Sequence, residues 1–156
     1  MNTLNKKICF AASSGGHFEQ IMMLKPLMEK YDSFILTEKT KYDVNGKIAN
    51  MKYLRQVNRK EWNWLFAIAY NTIKSLFIFL KEKPDMIVCT GALAMLPMCI
   101  ICKIFKKKLI FIESFAKITS PTQTGKFLYK YADEFYVQWK SMLNVYPNAK
   151  YLGGIY

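Results

Sequence analysis

Short apolar runs, each closed by small or polar residues and followed by a helical repeat, constrain this chain more than any other feature of its sequence. Residues 6–12 place Ile8-Cys9-Phe10-Ala11-Ala12 behind a pair of lysines and run into Ser13-Ser14-Gly15-Gly16-His17. A run this short and this apolar, bounded by Ser and Gly, predicts a strand buried on both faces. Apolar residues then recur at Phe18, Ile21, Met22, Leu24, Leu27 and Met28, the spacing of a helix over residues 17–30.

The same alternation continues along the chain. Strands are predicted over residues 34–37, 51–57, 86–90, 109–112 and 134–138. Residues 39–49 are polar and read as a loop, with Asn45-Gly46 as its turn signal. Helices are predicted over residues 61–83, stopped by Pro84, over 92–105 with a kink at Pro97, and over 126–132 and 139–146. Residues 115–125, rich in Thr, Ser, Lys and Gln, read as a loop over the sheet edge. Strands alternating with helices imply an α/β fold, a Rossmann-like parallel sheet with helices on both faces. With 156 residues the expectation is one domain over residues 1–156.

In such sheets ligands bind at the carboxyl ends of the strands. Here those ends are the Ser13 to His17 turn, Thr37-Glu38, Thr90-Gly91 and Glu113-Ser114. Two glycines let the first turn tighten and approach a ligand, and a helix N-terminus behind it offers N–H groups to an anion. Phosphate or pyrophosphate is the natural guest of Ser13, Ser14, Gly15 and Gly16. The spacing is neither G-x-G-x-x-G nor a Walker A loop, although Glu38 falls where a dinucleotide fold keeps its ribose acid. A Ser N-cap with a glycine turn that serves only folding is the competing reading.

His17, the only histidine, stands in the first helical turn at the mouth of this cleft. It suits a general base or a donor to phosphate, with the helix end holding it neutral; otherwise it caps or packs. Glu113, followed by Ser114, accepts either a sugar hydroxyl or local backbone N–H groups.

The helix over residues 61–83 carries more apolar surface than one sheet face requires. Trp62, Trp64, Phe66 and Phe77 stand among its many large residues, while Asn63, Asn71, Lys74, Ser75 and Lys81 form a narrow polar stripe. Asn71, Thr72, Lys74 and Ser75 interrupt the middle, against a membrane span. A side exposed to a membrane surface or a partner fits, and so does a central helix enclosed by other elements.

Lys and Arg total 23 against 11 acids, a net charge of +12. Such a charge favours anionic partners or serves as a soluble basic surface. No basic stripe interleaved with aromatics marks a nucleic-acid binder, so nucleic acid is not an expected partner. Cys9, Cys89, Cys99 and Cys102 lie in apolar runs and read as buried reduced thiols, which suits a cytoplasmic protein. The single C-x-x-C lacks the further ligands of a zinc site, and no metal or cofactor is expected. The polar start of the chain does not read as a signal peptide.

The strand-Ser13-Ser14-Gly15-Gly16-His17-helix opening resembles the acceptor-side subunit of the two-part UDP-GlcNAc transferase of asparagine-linked glycosylation. It resembles still more the bacterial capsule and exopolysaccharide proteins of the PssD/CpsF type. Ile112-Glu113-Ser114-Phe115, Thr124-Gly125-Lys126, Tyr131-Ala132-Asp133, Val137-Gln138-Trp139, Tyr146-Pro147 and Gly153-Gly154-Ile155-Tyr156 carry the likeness through the later half. The resemblance implies the N-terminal, acceptor- and membrane-side half of a metal-free, inverting GT-B glycosyltransferase. A second subunit would bind most of the UDP-sugar, and the fused relative is the lipid II-forming transferase MurG. By that likeness Gly15, Gly16 and His17 face a polyprenyl-pyrophosphate acceptor with His17 as base. Glu113 and Ser114 line the acceptor side. Eukaryotic members carry an N-terminal anchor; here the 61–83 helix and the basic surface are the expected attachment to the inner face of the cell membrane. A non-catalytic subunit that docks and activates the catalytic chain is the alternative.

Overall fold

A computed structural model describes residues 6–40 and 50–156. The chain order is β1 (Lys7–Ala12), α1 (Gly16–Met22), α2 (Lys25–Lys30), β2 (Asp32–Lys39), β3 (Met51–Arg55), α3 (Trp64–Glu82), β4 (Met86–Gly91), α4 (Leu96–Ile104), β5 (Lys108–Ile112), α5 (Gln123–Leu128), β6 (Glu134–Val137) and β7 (Lys150–Tyr151), with 3₁₀ turns at Leu93–Met95 and Lys140–Asn144. The strands form one seven-stranded sheet in the order β3-β2-β1-β4-β5-β6-β7. Every pairing is parallel.

Side-chain alternation along the strands builds two cores, one on each sheet face. Cys9 and Ala11 of β1 join Ile87, Cys89, Leu109 and Phe111 under α3, α4 and α5, which contribute Phe79, Met98, Cys99, Cys102 and Leu128. Ile8, Phe10 and Ala12 turn the other way, onto Phe18 and Ile21 of α1 with Met28 of α2 beside them. The expected α/β sheet with helices on both faces is therefore present. The four cysteines are buried and unpaired.

Several boundaries differ from the sequence reading. The single helix over 17–30 is two helices, because Pro26 has no N–H and its ring would strike the carbonyl four residues back. Instead Pro26 occupies the first turn of α2, where Leu24 accepts from the N–H groups of Leu27 and Met28. Pro97 likewise starts α4 after a 3₁₀ turn and kinks nothing. α5 begins inside the predicted loop: Thr122 caps it by accepting from the Gly125 N–H at 2.8 Å, a Thr cap hidden in a run of polar residues. α3 starts at Trp64 and leaves Trp62 in the turn before it; it ends at Glu82, and the next residue, Lys83, with a φ of 49°, turns the chain toward Pro84. Residues 139–146 make only a 3₁₀ turn, and the short edge strand β7 was not expected. The Asn45-Gly46 turn lies outside the described residues.

Candidate functional site: a cleft where the sheet changes direction

Strand order reverses between β1 and β4, and the crevice outside their carboxyl ends is where open α/β sheets bind ligands. The first turn is tied across that crevice, since the Ser13 N–H donates to the Gly91 carbonyl at 2.8 Å. Gly15 adopts φ +77° with open space about it, so glycine is needed there for conformation rather than for room. Its carbonyl accepts from the N–H groups of Phe18 and Glu19. The N–H groups of Gly15, Gly16 and His17 take no partner among the described residues, the unsatisfied donors that begin any helix.

Ser14 does not share that freedom. Its N–H and hydroxyl both donate to Oε2 of Glu38, at 3.3 and 3.2 Å. Oε1 of Glu38 accepts from the Val57 N–H at 3.1 Å. Glu38 is buried and clamps the first turn to the exit of β3. Its oxygens are engaged by the chain itself rather than held out like a ribose acid.

His17 is half-buried. A side chain at Gly91 would come within 3.0 Å of its Cε1, so the glycine makes room for the imidazole. The Thr90 hydroxyl donates to the His17 carbonyl at 2.9 Å. Nδ1 is buried with no hydrogen-bond partner among the described residues. Burial pushes the imidazole below its ordinary pKa of 6.5, against the opposing pull of Thr90 and of the Glu113 and Glu38 carboxylates. The ring is neutral at neutral pH as expected, but burial rather than the helix end is the main cause.

Glu113 is buried and saturated. Oε1 accepts from the Ser114 N–H at 2.9 Å and the Thr122 hydroxyl at 2.8 Å. Oε2 accepts from the Thr122 N–H at 3.2 Å and the Tyr146 hydroxyl at 2.8 Å. Burial and the adjacent carboxylate push the Tyr146 phenol up. A Cβ at Gly125 would lie 2.2 Å from Oε2, so only glycine lets α5 approach. The capping alternative for Glu113 matches this arrangement: it fixes the start of α5 at the cleft. Ser114 is buried beside it and accepts from the Ala116 N–H at 3.3 Å.

The cleft encloses about 450 Å³ between Ser13, Ser14 and Glu38 on one side and Ala92, Leu93 and Thr122 to Thr124 on the other, with Gln56, Val57 and Arg59 closing it. Of the expected residues Ser13 and Ser14 line it; Gly15, Gly16, His17, Glu113 and Ser114 do not, although Glu113 is hydrogen-bonded to Thr122 of its wall. Sequence reading missed Arg59 and Thr122, and it missed Gln138, whose buried Nε2 donates to the Glu113 carbonyl and to Gln20 Oε1. The polar run ending at Gly125 and the Thr124-Gly125-Lys126 motif were the signals for the α5 wall. Among the described residues no group of three or more His, Cys, Asp or Glu side chains is placed to hold a metal.

α3, which follows Arg59 of the cleft in the chain, is inside out. Its buried residues are Ala67, Asn71, Ser75 and Phe79. Leu65, Phe66, Tyr70, Ile73, Leu76, Phe77 and Leu80 are exposed, an arc of roughly 140° at 3.6 residues per turn. The polar stripe of the sequence therefore points partly inward. Asn71 donates to the Arg55 carbonyl and accepts from the Arg55 N–H, both at 2.8 Å. The enclosed-helix reading is excluded, because Phe66 and Phe77 are each 69% exposed and Trp62 is 88% exposed. Trp64 is half-buried on the sheet-facing side. By length and composition alone α3 could cross a membrane.

Comparison with known proteins places this geometry. The model of the family described as "Oligosaccharide biosynthesis protein Alg14 like" matches residues 28–155. The UDP-N-acetylglucosamine transferase subunit ALG14 of Rattus norvegicus is 30% identical over 76% of this chain, and the chain spans 56% of that relative. The subunit of the same name from Homo sapiens is 25% identical over 95% of this chain and 82% of its own length. Among solved structures, Acinetobacter baumannii MurG superposes with a TM-score of 0.73 at 15% identity, over 87% of this chain and 42% of MurG. UDP-N-acetylglucosamine 2-epimerase from Rickettsia bellii gives 0.74 at 10% identity, over 97% of this chain and 45% of that one. The fold is thus the Rossmann-like fold found within GT-B proteins, and the chain belongs to the Alg14-like family.

Proposed function

We propose that this chain is the acceptor- and membrane-side subunit of a two-chain, inverting GT-B glycosyltransferase. It would act with a second subunit that carries the UDP-sugar domain. The observation that carries the reading is the pairing of a cleft at the switch point with an outward-facing apolar helix that follows Arg59 of the cleft in the chain. The relatives' name, transferase subunit, and the chain's correspondence to about two fifths of MurG support it. The apolar arc of α3 lays the protein on the inner, cytoplasmic face of the cell membrane. It packs on the sheet through Asn71 and so lies in the interface rather than spanning it. Trp62, Phe66 and Phe77 are the contact residues; Trp64, half-buried on the sheet-facing side of α3, is not among them.

In this reading the acceptor is a polyprenyl-pyrophosphate-linked sugar of capsular or exopolysaccharide synthesis, as in proteins of the PssD/CpsF type. Gly15 and Gly16 offer their N–H groups to the pyrophosphate beside Ser13, Ser14 and Arg59. His17, neutral at pH 7, takes the acceptor hydroxyl proton as that oxygen bonds to the sugar's anomeric carbon and UDP leaves. Glu113 and Ser114 position the α5 wall. The alternative is a non-catalytic docking and activating subunit, favoured by one observation: His17 does not line the cleft and is half-buried against Gly91.

Co-expression with the donor-side chain and an assay of sugar transfer to a polyprenyl-pyrophosphate acceptor tests both. Transfer is expected only with both chains, and His17→Ala should lower it at least a hundredfold, within the usual worth of a general base. Full activity in His17→Ala leaves the docking alternative. Full transfer by the donor-side chain alone removes the subunit reading altogether.

A further inference from the structure

A second recess lies outside the cleft, between the last residues of β2 and β3 and the exposed flank of α3. It encloses about 500 Å³ and is lined by Lys39, Leu54, Arg55, Gln56, Glu61, Tyr70 and Lys74. Lys39, Arg55 and Lys74 bring positive charge from separate elements, against the single acid Glu61. None of the three has an ion pair among the described residues, unlike Lys103, Lys107 and Lys108 of the basic cluster around the end of α4, each of which is tied to an acid. The recess is also preorganised. Asn71 holds the Arg55 main chain from both sides, and the Lys74 ammonium stands 5.7 Å from the centre of the Tyr70 ring.

Position decides what such a recess receives. Tyr70 belongs at once to the recess and to the apolar arc of α3, and Lys74 borders that arc one turn later. An anion held there sits at the margin of an apolar face, the relation a lipid phosphate has to its own acyl chains. We propose that the Lys39–Arg55–Lys74 recess is a binding site for the phosphate headgroup of an anionic membrane lipid. The site rests on the membrane-docking reading of α3. It would make attachment selective for lipid charge and fix the rotation of the domain on the bilayer, with the cleft rim at the surface.

The test is sedimentation of the full chain with phosphatidylcholine vesicles, with and without phosphatidylglycerol. The wild type is compared with Lys39→Gln/Arg55→Gln/Lys74→Gln and with a control of equal charge change, Lys117→Gln/Lys130→Gln/Lys140→Gln. Basic residues at an anionic surface contribute about fivefold each, so the recess variant should lose roughly a hundredfold in affinity for the anionic vesicles. The control, its charges screened beyond about 10 Å, should lose less than about threefold, and circular dichroism melting should be unchanged in both. Equal losses in the two variants would mean a diffuse field and overturn the site. So would calorimetric binding of free inorganic phosphate as tight as binding to vesicles, since the source would then be soluble. If the wild type sediments and the recess variant sediments equally well, only this site fails. If the wild type sediments with neither vesicle, the docking reading fails and takes the site with it.

Discussion

α3 and α4 pack on the same face of the sheet and against each other, and both are apolar, yet they use their apolar residues in opposite ways. α4 buries Pro97, Met98, Cys99, Ile101 and Cys102, the arrangement of a core helix. α3 buries Ala67, Asn71, Ser75 and Phe79 and leaves its large residues outside. The difference teaches that hydropathy summed along a helix does not say which way it faces. What says it is the placing of small and polar residues. Ala67, Asn71 and Ser75 recur every fourth position and let α3 lie close to β3, while the bulky positions form a contiguous arc left exposed by the described residues. An apolar patch of that kind marks an interaction surface.

The comparison breaks first at matched charge insertions. Met98→Glu buries an unpaired carboxylate in a site with no measurable exposure. It should cost about 4 kcal/mol or more, a large part of a domain's whole stability. Phe77→Glu should shift stability by no more than about 0.5 kcal/mol and yet abolish recovery with vesicles. Urea melts and sedimentation of the two variants check this. A Phe77→Glu protein that melts early would mean that α3 has an intramolecular partner after all.

Asn71→Leu comes next. It removes a side chain that satisfies both main-chain groups of Arg55 and leaves them partly buried without partners. The expected cost is about 2–6 kcal/mol, from one to three for each of the two orphaned groups. If instead the substitution stabilises the protein, the buried polar stripe is not what orients α3.

Much of the fold was legible because the inner strands β1, β4 and β5 are short, mostly buried and apolar, and each runs into small or polar residues. The Ser13 to His17 turn was legible for the same reason: glycine and serine end β1 abruptly. The contents of the site were less so. Glu38 read as standing where a ribose acid would, and Glu113 as either a ligand for a sugar hydroxyl or a cap for backbone N–H groups, because the sequence shows a carboxylate at a strand end and not the hydrogen-bond donors that fill it. Those donors, Ser14 and Val57 for one, Thr122 and Tyr146 for the other, come from 9 to 33 residues away for all but Ser114. The inversion of α3 was half legible. Its apolar surplus was visible, but only the sheet shows that Asn71 and Ser75 face inward.

His17 and Ser75 offer finer tests, since each places a polar atom in the fold with no partner among the described residues. For His17 the readout is pH. Burial holds the folded imidazole below its ordinary 6.5, so the unfolded chain takes up its proton first. Stability should therefore be full above about pH 6.5, fall as the pH drops through that value, and stop falling once the folded ring is also charged. His17→Gln should flatten this part of the curve of melting temperature against pH. An unchanged slope would assign the acid sensitivity to other groups.

Ser75 should give the smallest effect. Its hydroxyl is fully buried and unbonded, and the position faces the sheet on the side of α3 that carries Asn71. If the serine is there only to be small, Ser75→Ala removes an unsatisfied polar atom at nearly constant volume. It also raises helix propensity by a few tenths of a kcal/mol, for a net gain of up to about 1 kcal/mol. A larger residue gives the opposite sign: Ser75→Leu, which completes the apolar surface of α3, should destabilise by about 1–3 kcal/mol through overpacking against the sheet. The two substitutions together separate the inside-out helix from an ordinary one. In an ordinary amphipathic helix, leucine on the sheet-facing side would be the residue expected, and Ser75→Leu would be the stabilising change.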